Sequence, residues 1–174
     1  MAENGLSARI RRTIAELYDL FNDLERLIHF FDNEIETVFR QSEACQRIVK
    51  VKGIGPKTAT AIVAAIGKGT EFKNGRHFAA WPGLVPGQHS SGDRQVLMNM
   101  KKKGDKHLRT LVIHGARAVV RAATNNNDGY LNQWINRLKE RRGFNKTTVA
   151  VANKNTRIIW SMLRTYTEYQ AVGS

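Results

Sequence analysis

The sequence predicts a mostly α-helical protein, in which a long N-terminal coiled-coil helix leads into a compact helical domain with a helix-hairpin-helix motif and a long basic loop. Three observations carry that prediction. Apolar residues from Ile10 fall at Ile14, Leu17, Phe21, Leu24, Ile28, Phe31, Ile35 and Val38, in steps that alternate four and three. No Pro or Gly interrupts the chain from Leu6 to Val51. Three later segments, near residues 105–124, 129–142 and 146–167, repeat apolar positions every three or four residues.

The first segment, residues 1–47, reads as one helix of about 60 Å at 1.5 Å per residue, continuing toward Val51. Its seam needs a partner, and homo-oligomerisation through the coil is the expected outcome. Leu20 and Leu27 widen the stripe, and Phe21 and Phe31 are bulky for a two-stranded zipper, so antiparallel and multi-helix pairings stay open. The competing reading folds the helix back on its own domain, but its length exceeds what so small a domain can cover.

Residues 48–174 read as a separate domain. Near residues 48–66 the run Val51-Lys52-Gly53-Ile54-Gly55-Pro56-Lys57 combines glycines for a tight turn with a proline suited to the first position of the next helix. Backbone amides at a helix N-terminus, flanked by Lys50, Lys52 and Lys57, make an anion site for a DNA phosphate. A plain helix-helix turn without a ligand remains the alternative. The aromatic residues Phe72, His77, Phe78 and Trp81 follow. Residues 82–104, dense in Gly, Pro, Ser and Lys, read as a functional or mobile loop. Asp105 caps a helix bearing Leu108, Leu111, Val112, Ala116 and Val119, which ends near the turn-prone run Thr124 to Gly129. A short helix carries Tyr130, Leu131, Trp134 and Leu138, and the last carries Val149, Ala152, Thr156, Ile159 and Leu163.

Charge separates the two parts. Residues 1–47 carry −3, whereas residues 48–174 carry +16, from 22 Lys plus Arg against six acids. A domain with that excess seeks a polyanion, and DNA is the expected partner. Charge alone also fits a merely basic or ribosome-associated protein. No apolar run approaches the roughly 20 residues of a membrane helix, so no membrane partner is expected. No leader pattern opens the chain, and the single cysteine, Cys45, supports neither an internal disulfide nor a Cys-based zinc site, so a cytoplasmic location is expected. His29, His77, His89, His107 and His114 show no metal spacing. Trp81, Trp134 and Trp160 read as core, with base stacking the lesser alternative.

Taken in order, Gly53-Ile54-Gly55, Phe72, Ala80-Trp81-Pro82-Gly83-Leu84-Val85-Pro86, Gln88, Ser91-Gly92, Lys102-Lys103-Gly104-Asp105, Leu108-Arg109, Lys154, Arg157 and Trp160 resemble the insertion-sequence one-ten transposases, the bridge-RNA-guided DNA recombinases. The resemblance runs from about Leu6 to Leu163. It implies the C-terminal transposase domain with its preceding coiled coil. It also implies Ser91 as the nucleophile that becomes joined to DNA, with guide RNA as a further partner. The family's RuvC-like half, with four carboxylates that imply Mg2+, has no counterpart here, and the six acids of the basic part form no such cluster. The expectation is thus a truncated copy, a pseudogene or a deliberately shortened chain, inactive alone and with no cofactor of its own.

The residue types suit that chemistry. Serine attack on a phosphodiester keeps the bond energy in a phosphoseryl ester, and cations stabilise the charge that builds at phosphorus. Arg94, Lys101, Lys102, Lys103 and Arg109 are candidates for that, beside Lys52, Gly53, Gly55 and Lys57 for DNA binding. Ser90 competes with Ser91, which Gly92 favours. His89 lies two residues from Ser91, a spacing that an extended segment can bring to one side. Without the resemblance, Ser90-Ser91-Gly92 reads as a polar turn. The alternative function is a non-enzymatic helix-hairpin-helix module that binds DNA or RNA, and a third is a coil that docks on a full-length transposase.

Overall fold

The computed structural model describes residues 7–91, 94–100, 104–123 and 129–170. The predicted mostly helical fold, a long N-terminal helix followed by a compact helical bundle, is what it shows. Helix α1 spans Ala8–Gln41, with the Ser7 side chain accepting from the Ile10 amide at its start. At 34 residues it is about 51 Å long. It is shorter than the sequence predicts because Ser42 breaks it. Ser42 adopts an extended backbone, and its hydroxyl accepts from the Cys45 amide to start a second helix, α2, at Glu43–Ile48. No residue of α1 is buried, and the seam residues Ile10, Ile14, Leu17, Phe21, Leu24, Ile28, Phe31 and Val38 all stand in solvent.

The bundle is built on α7, Phe144–Thr165, which buries nine residues and packs against α2, α4 (Gly75–Ala80), α5 (Lys106–Ala122) and α6 (Tyr130–Arg142). Ile48, Val51, Ile62, Phe78, Leu84, Val120, Ile135, Val151 and Ile159 form the driest part of the core. Four of the residues that α7 buries are polar, and each is satisfied. Thr147, Thr148 and Thr156 donate to the carbonyls four residues earlier, and Asn155 donates to the Lys52 carbonyl at 2.9 Å. Helix α3, Pro56–Ile66, packs between α2, α5 and the C-terminal part of α1.

One expectation is corrected. Much of the segment read as a loop, 82–104, is a β-hairpin, with β1 (Pro86–Ser91) paired antiparallel to β2 (Arg94–Met100). The segment looks turn-rich because its Gly, Pro and Ser residues are poor strand formers, and paired backbones rather than propensity hold it. A short helix, α4, also forms where only an aromatic stretch was read, because the Asn74 side chain caps it at the His77 amide.

Candidate nucleic-acid interface

The α2-turn-α3 unit is the first component. Val51 and Ile54 are buried and their amides donate to Ile48 and Val51 carbonyls, which rolls the chain into a tight turn. The two glycines of the motif do different jobs. Gly53 has φ of +87°, and a Cβ there would come within 2.7 Å of the Gly115 carbonyl oxygen on α5. Gly115 is the reciprocal contact, since its Cβ would lie 1.8 Å from the Gly53 oxygen. The turn is therefore seated on α5 by backbone-to-backbone approach, and Asn155 holds it from α7. Gly55 faces open space at the start of α3, where no side chain caps the helix and Pro56 has no amide to satisfy. Among the described residues, no acceptor is taken by the amides of Lys57 and Thr58, while Ala59 closes the first turn on Gly55.

The lysines of this unit are not equivalent. Lys52 is exposed and unpaired among the described residues, whereas the Lys57 ammonium sits 2.7 Å from an Asp32 carboxylate oxygen on α1. Lys57 thus spends its charge on docking α1. Lys50 is similarly paired with Glu168, 2.6 Å away, and Arg47 reaches the same carboxylate at 3.7 Å. The Lys50 hydrogen bond, aided by the charges of Lys50 and Arg47, holds the Glu168 carboxyl below the usual carboxylate range.

The hairpin is the second component. Its root is clamped on both legs. Arg109 donates from Nη1 to the Pro82 carbonyl at 3.0 Å, and Gly104, with φ of +110°, leaves its α-carbon so close to Trp81 that a Cβ would lie 1.8 Å from the Trp81 oxygen. Asp105 then caps α5 by accepting from the Leu108 amide. Beyond the root, the strands pair with each other, and among the described residues no helix packs substantially on them. Ser91 pairs with Arg94 as the last pair of the ladder, about 17 Å along the strand from Pro86. Ser90 pairs with Gln95 and His89 with Val96. Lys101, Lys102 and Lys103 lie outside the described residues.

Of the predicted site residues, Gly53, Gly55, Lys52 and Lys57 therefore meet at one turn, and Ser91 and Arg94 at one end of the hairpin. Arg109 belongs to the hairpin root. Three residues that position the turn escaped the sequence reading: Gly115, Asn155 and Asp32. A glycine in the middle of a helix pattern was the available signal for the first, because it costs helix stability without a packing reason. Nothing marks the other two.

The electrostatics are one-sided. Every ion pair between described residues takes its cation from α1, α2, the turn after α2 or the first turn of α3. After Lys57, no Lys or Arg pairs with a carboxylate among the described residues, and Lys106, Arg117, Arg121, Arg137, Arg141, Arg142, Lys146 and Arg157 are exposed. A family model described as the transposase IS116/IS110/IS902 family matches residues 45–131, from α2 through the hairpin to the start of α6. The chain belongs to the IS116/IS110/IS902 transposase family.

Relatives within that group agree along nearly the whole chain. A probable family 20 transposase of Pseudomonas aeruginosa is 45% identical over 95% of this chain and 48% of its own length. The transposase for insertion sequence element IS1111A of Coxiella burnetii is 40% identical over 95% and 45%, and that for IS1328 of Yersinia enterocolitica 32% identical over 91% and 47%. The chain spans about half the length of these curated relatives. Among the described residues, no helix is long and apolar enough to cross a membrane.

Proposed function

We infer that this chain is the DNA-engaging C-terminal part of a transposase, with Ser91 as the nucleophile of strand cleavage and transfer. The observation that carries the DNA half of this reading is the uncompensated positive surface after Lys57, which a phosphate backbone neutralises with release of counterions. In the reaction, the bond from Ser91 Oγ to phosphorus forms as the bond to the leaving deoxyribose oxygen breaks. The proton lost from Oγ is balanced by one gained at that oxygen, and rejoining reverses the exchange. The hairpin supports this reading by holding Ser91 out from the helices, where a strand can reach it.

A serine hydroxyl needs an activating group. Among the described residues, no three His, Cys, Asp or Glu side chains gather to hold a metal. We assign the RuvC-like carboxylates and their Mg2+ to the part of the relatives that this chain does not span. The solvent-exposed seam of α1 supports pairing with another copy as a coiled coil, and the basic surface also suits a guide RNA; the reaction on duplex DNA would proceed in the cytoplasm.

The same projection of Ser91 away from the bundle favours a second reading, a binding module without chemistry of its own. Covalent capture separates the two. In an intact transposase carrying this domain, Ser91→Ala removes the protein–DNA adduct and strand exchange and leaves DNA binding nearly unchanged, while Ser90→Ala keeps both. Adduct formation in the double variant refutes the serine mechanism.

A further inference from the structure

We propose that the outer face of α7 forms, with α4 and α6, a binding groove for single-stranded DNA. The inference rests on reading the chain as a DNA-processing domain and adds where an unpaired strand lies. The groove is open, with a volume of ≈ 1300 Å³, and follows α7 from Asn145 to Ser161. That stretch is about 24 Å long, room for at most about seven nucleotides at the 3.4 Å spacing of a stacked strand.

Its lining combines the two elements that single-strand binding needs. Arg76, Lys146, Lys154 and Arg157 contribute positive charge, and no carboxylate lines the groove among the described residues. Arg76 and Arg157 line the same groove where α4 meets α7. Gly75, the first residue of α4, lies so close to α7 that a Cβ there would sit 3.1 Å from the Arg157 carbonyl oxygen. Four cations in one groove, with no carboxylate among the described lining residues, favour an anion in it. The second element is aromatic. Trp134 and Trp160 are half-buried in the wall, and the Trp160 indole nitrogen donates to the Gly69 carbonyl, fixing that ring's orientation. The Lys154 ammonium stands 4.7 Å from the centre of the Trp134 ring, so a phosphate-binding charge and a stacking surface occupy one place.

The choice of a single strand follows from the floor. Val149, Ala150 and Ile158 make it apolar, and indoles beside an apolar floor match exposed base faces, which a duplex hides in its stack. The choice of DNA follows from position. Leu84 lines the groove two residues before β1 begins, and Asn153 on the groove wall donates to the Leu84 carbonyl at 3.1 Å. The groove thus starts at the root of the hairpin that carries Ser91, where a strand opened by cleavage would run.

The full chain with fluorescein-labelled eight-nucleotide oligothymidylate tests this by anisotropy and by quenching of tryptophan fluorescence. The double variant Arg76→Glu/Arg157→Glu is expected to lose tenfold or more in affinity and to lose the quenching. A matched double variant on α1, Arg9→Glu/Arg12→Glu, makes the same change in net charge outside the basic surface and is expected to stay within about threefold. Trp134→Leu, checked for native helicity, reduces the quenching while the charges remain. Equal losses in the two charge variants overturn the groove and leave only general electrostatics. Tighter binding of the matching oligouridylate, lost in the same groove variant, overturns the assignment to DNA. An acidic peptide that displaces the oligonucleotide and binds more tightly overturns the nucleic-acid assignment. None of these readouts needs cleavage, so a failure of the Ser91 mechanism and a failure of the groove are scored separately.

Discussion

Replacing Gly115 by Ala sets two physical effects against each other, and the structure decides the sign. Glycine within a helix costs about 1 kcal/mol relative to alanine, so propensity alone expects Gly115→Ala to stabilise α5 by that amount. The new methyl, however, would lie 1.8 Å from the Gly53 carbonyl oxygen and 2.9 Å from its carbon. The turn has little freedom to retreat, because Ile54 is buried beneath it and Asn155 holds the Lys52 carbonyl. Overpacking costs about 1–3 kcal/mol, and a clash with backbone takes the upper part of that range, about 2–3 kcal/mol, so the net expectation is a loss of about 1–2 kcal/mol. For a chain of this size that lowers the melting temperature by about 2–8 °C, read by circular dichroism. Duplex-DNA affinity falls with it, since the amides of α3 are displaced. Gly53→Ala meets the same contact from the other side with the added strain of a positive φ, and the double variant loses less than the sum because one shift relieves both. A rise in melting temperature for Gly115→Ala would refute the contact as the reason for glycine there.

Three further outcomes follow from the same geometry. Arg109→Leu breaks the donation to Pro82 and is expected to cost about 1–2 kcal/mol and to speed protease cleavage within the hairpin, while Arg117→Leu does neither. Glu168 has a lowered carboxyl pKa in the folded chain, so its contribution is present above the ordinary carboxylate range and is lost as pH falls through the folded value. Tail residues Tyr166–Gln170 therefore release in acid, seen as faster hydrogen exchange, and Glu168→Gln removes that pH dependence. Leu24→Asp places a charge in the exposed seam of α1, where burying each such leucine is worth about 1.5–3 kcal/mol, and sedimentation at micromolar concentration is expected to shift from oligomer to monomer. A wild-type monomer that the substitution leaves unchanged would count against the coil.

The helices were legible because their periodicity reports burial against a core. The stripe Val149 to Leu163 and the cap at Asp105 both appear as read, within a residue or two. The break at Ser42 was also available as a cap signal, yet the absence of Pro and Gly as far as Val51 outweighed a single serine. The hairpin was illegible for a different reason: Pro86, Gly87, Ser90 and Ser91 carry no strand pattern, and pairing is a property of two segments rather than either one. At the site, the turn was legible through Gly53, Gly55 and Pro56, but its seating was not. Which carbonyl a buried Asn155 reaches, or which lysine an Asp32 on a distant helix neutralises, depends on packing across more than a hundred residues in one case and twenty-five in the other.

The way the hairpin is mounted bears directly on the proposed serine chemistry. A two-stranded ribbon is marginally stable when nothing covers it, and among the described residues its fixed part is the root, held by Arg109 and by the close approach of Gly104 to Trp81. Nucleophilic attack demands positioning within a fraction of an ångström, which a ribbon held about 17 Å away does not supply by itself. The root clamp fixes where the arm leaves the bundle, and the contacts that fix Ser91 must come from what the arm meets. DNA seated on the uncompensated cations of the bundle is one such surface, and a second polypeptide carrying the activating groups is another. A serine hydroxyl is a weak nucleophile until a base or metal assists it, so cutting is expected to wait for what the arm meets. A structural arm that waits for its partners thus explains, in one arrangement, why the positive charge sits on the bundle and why the serine does not.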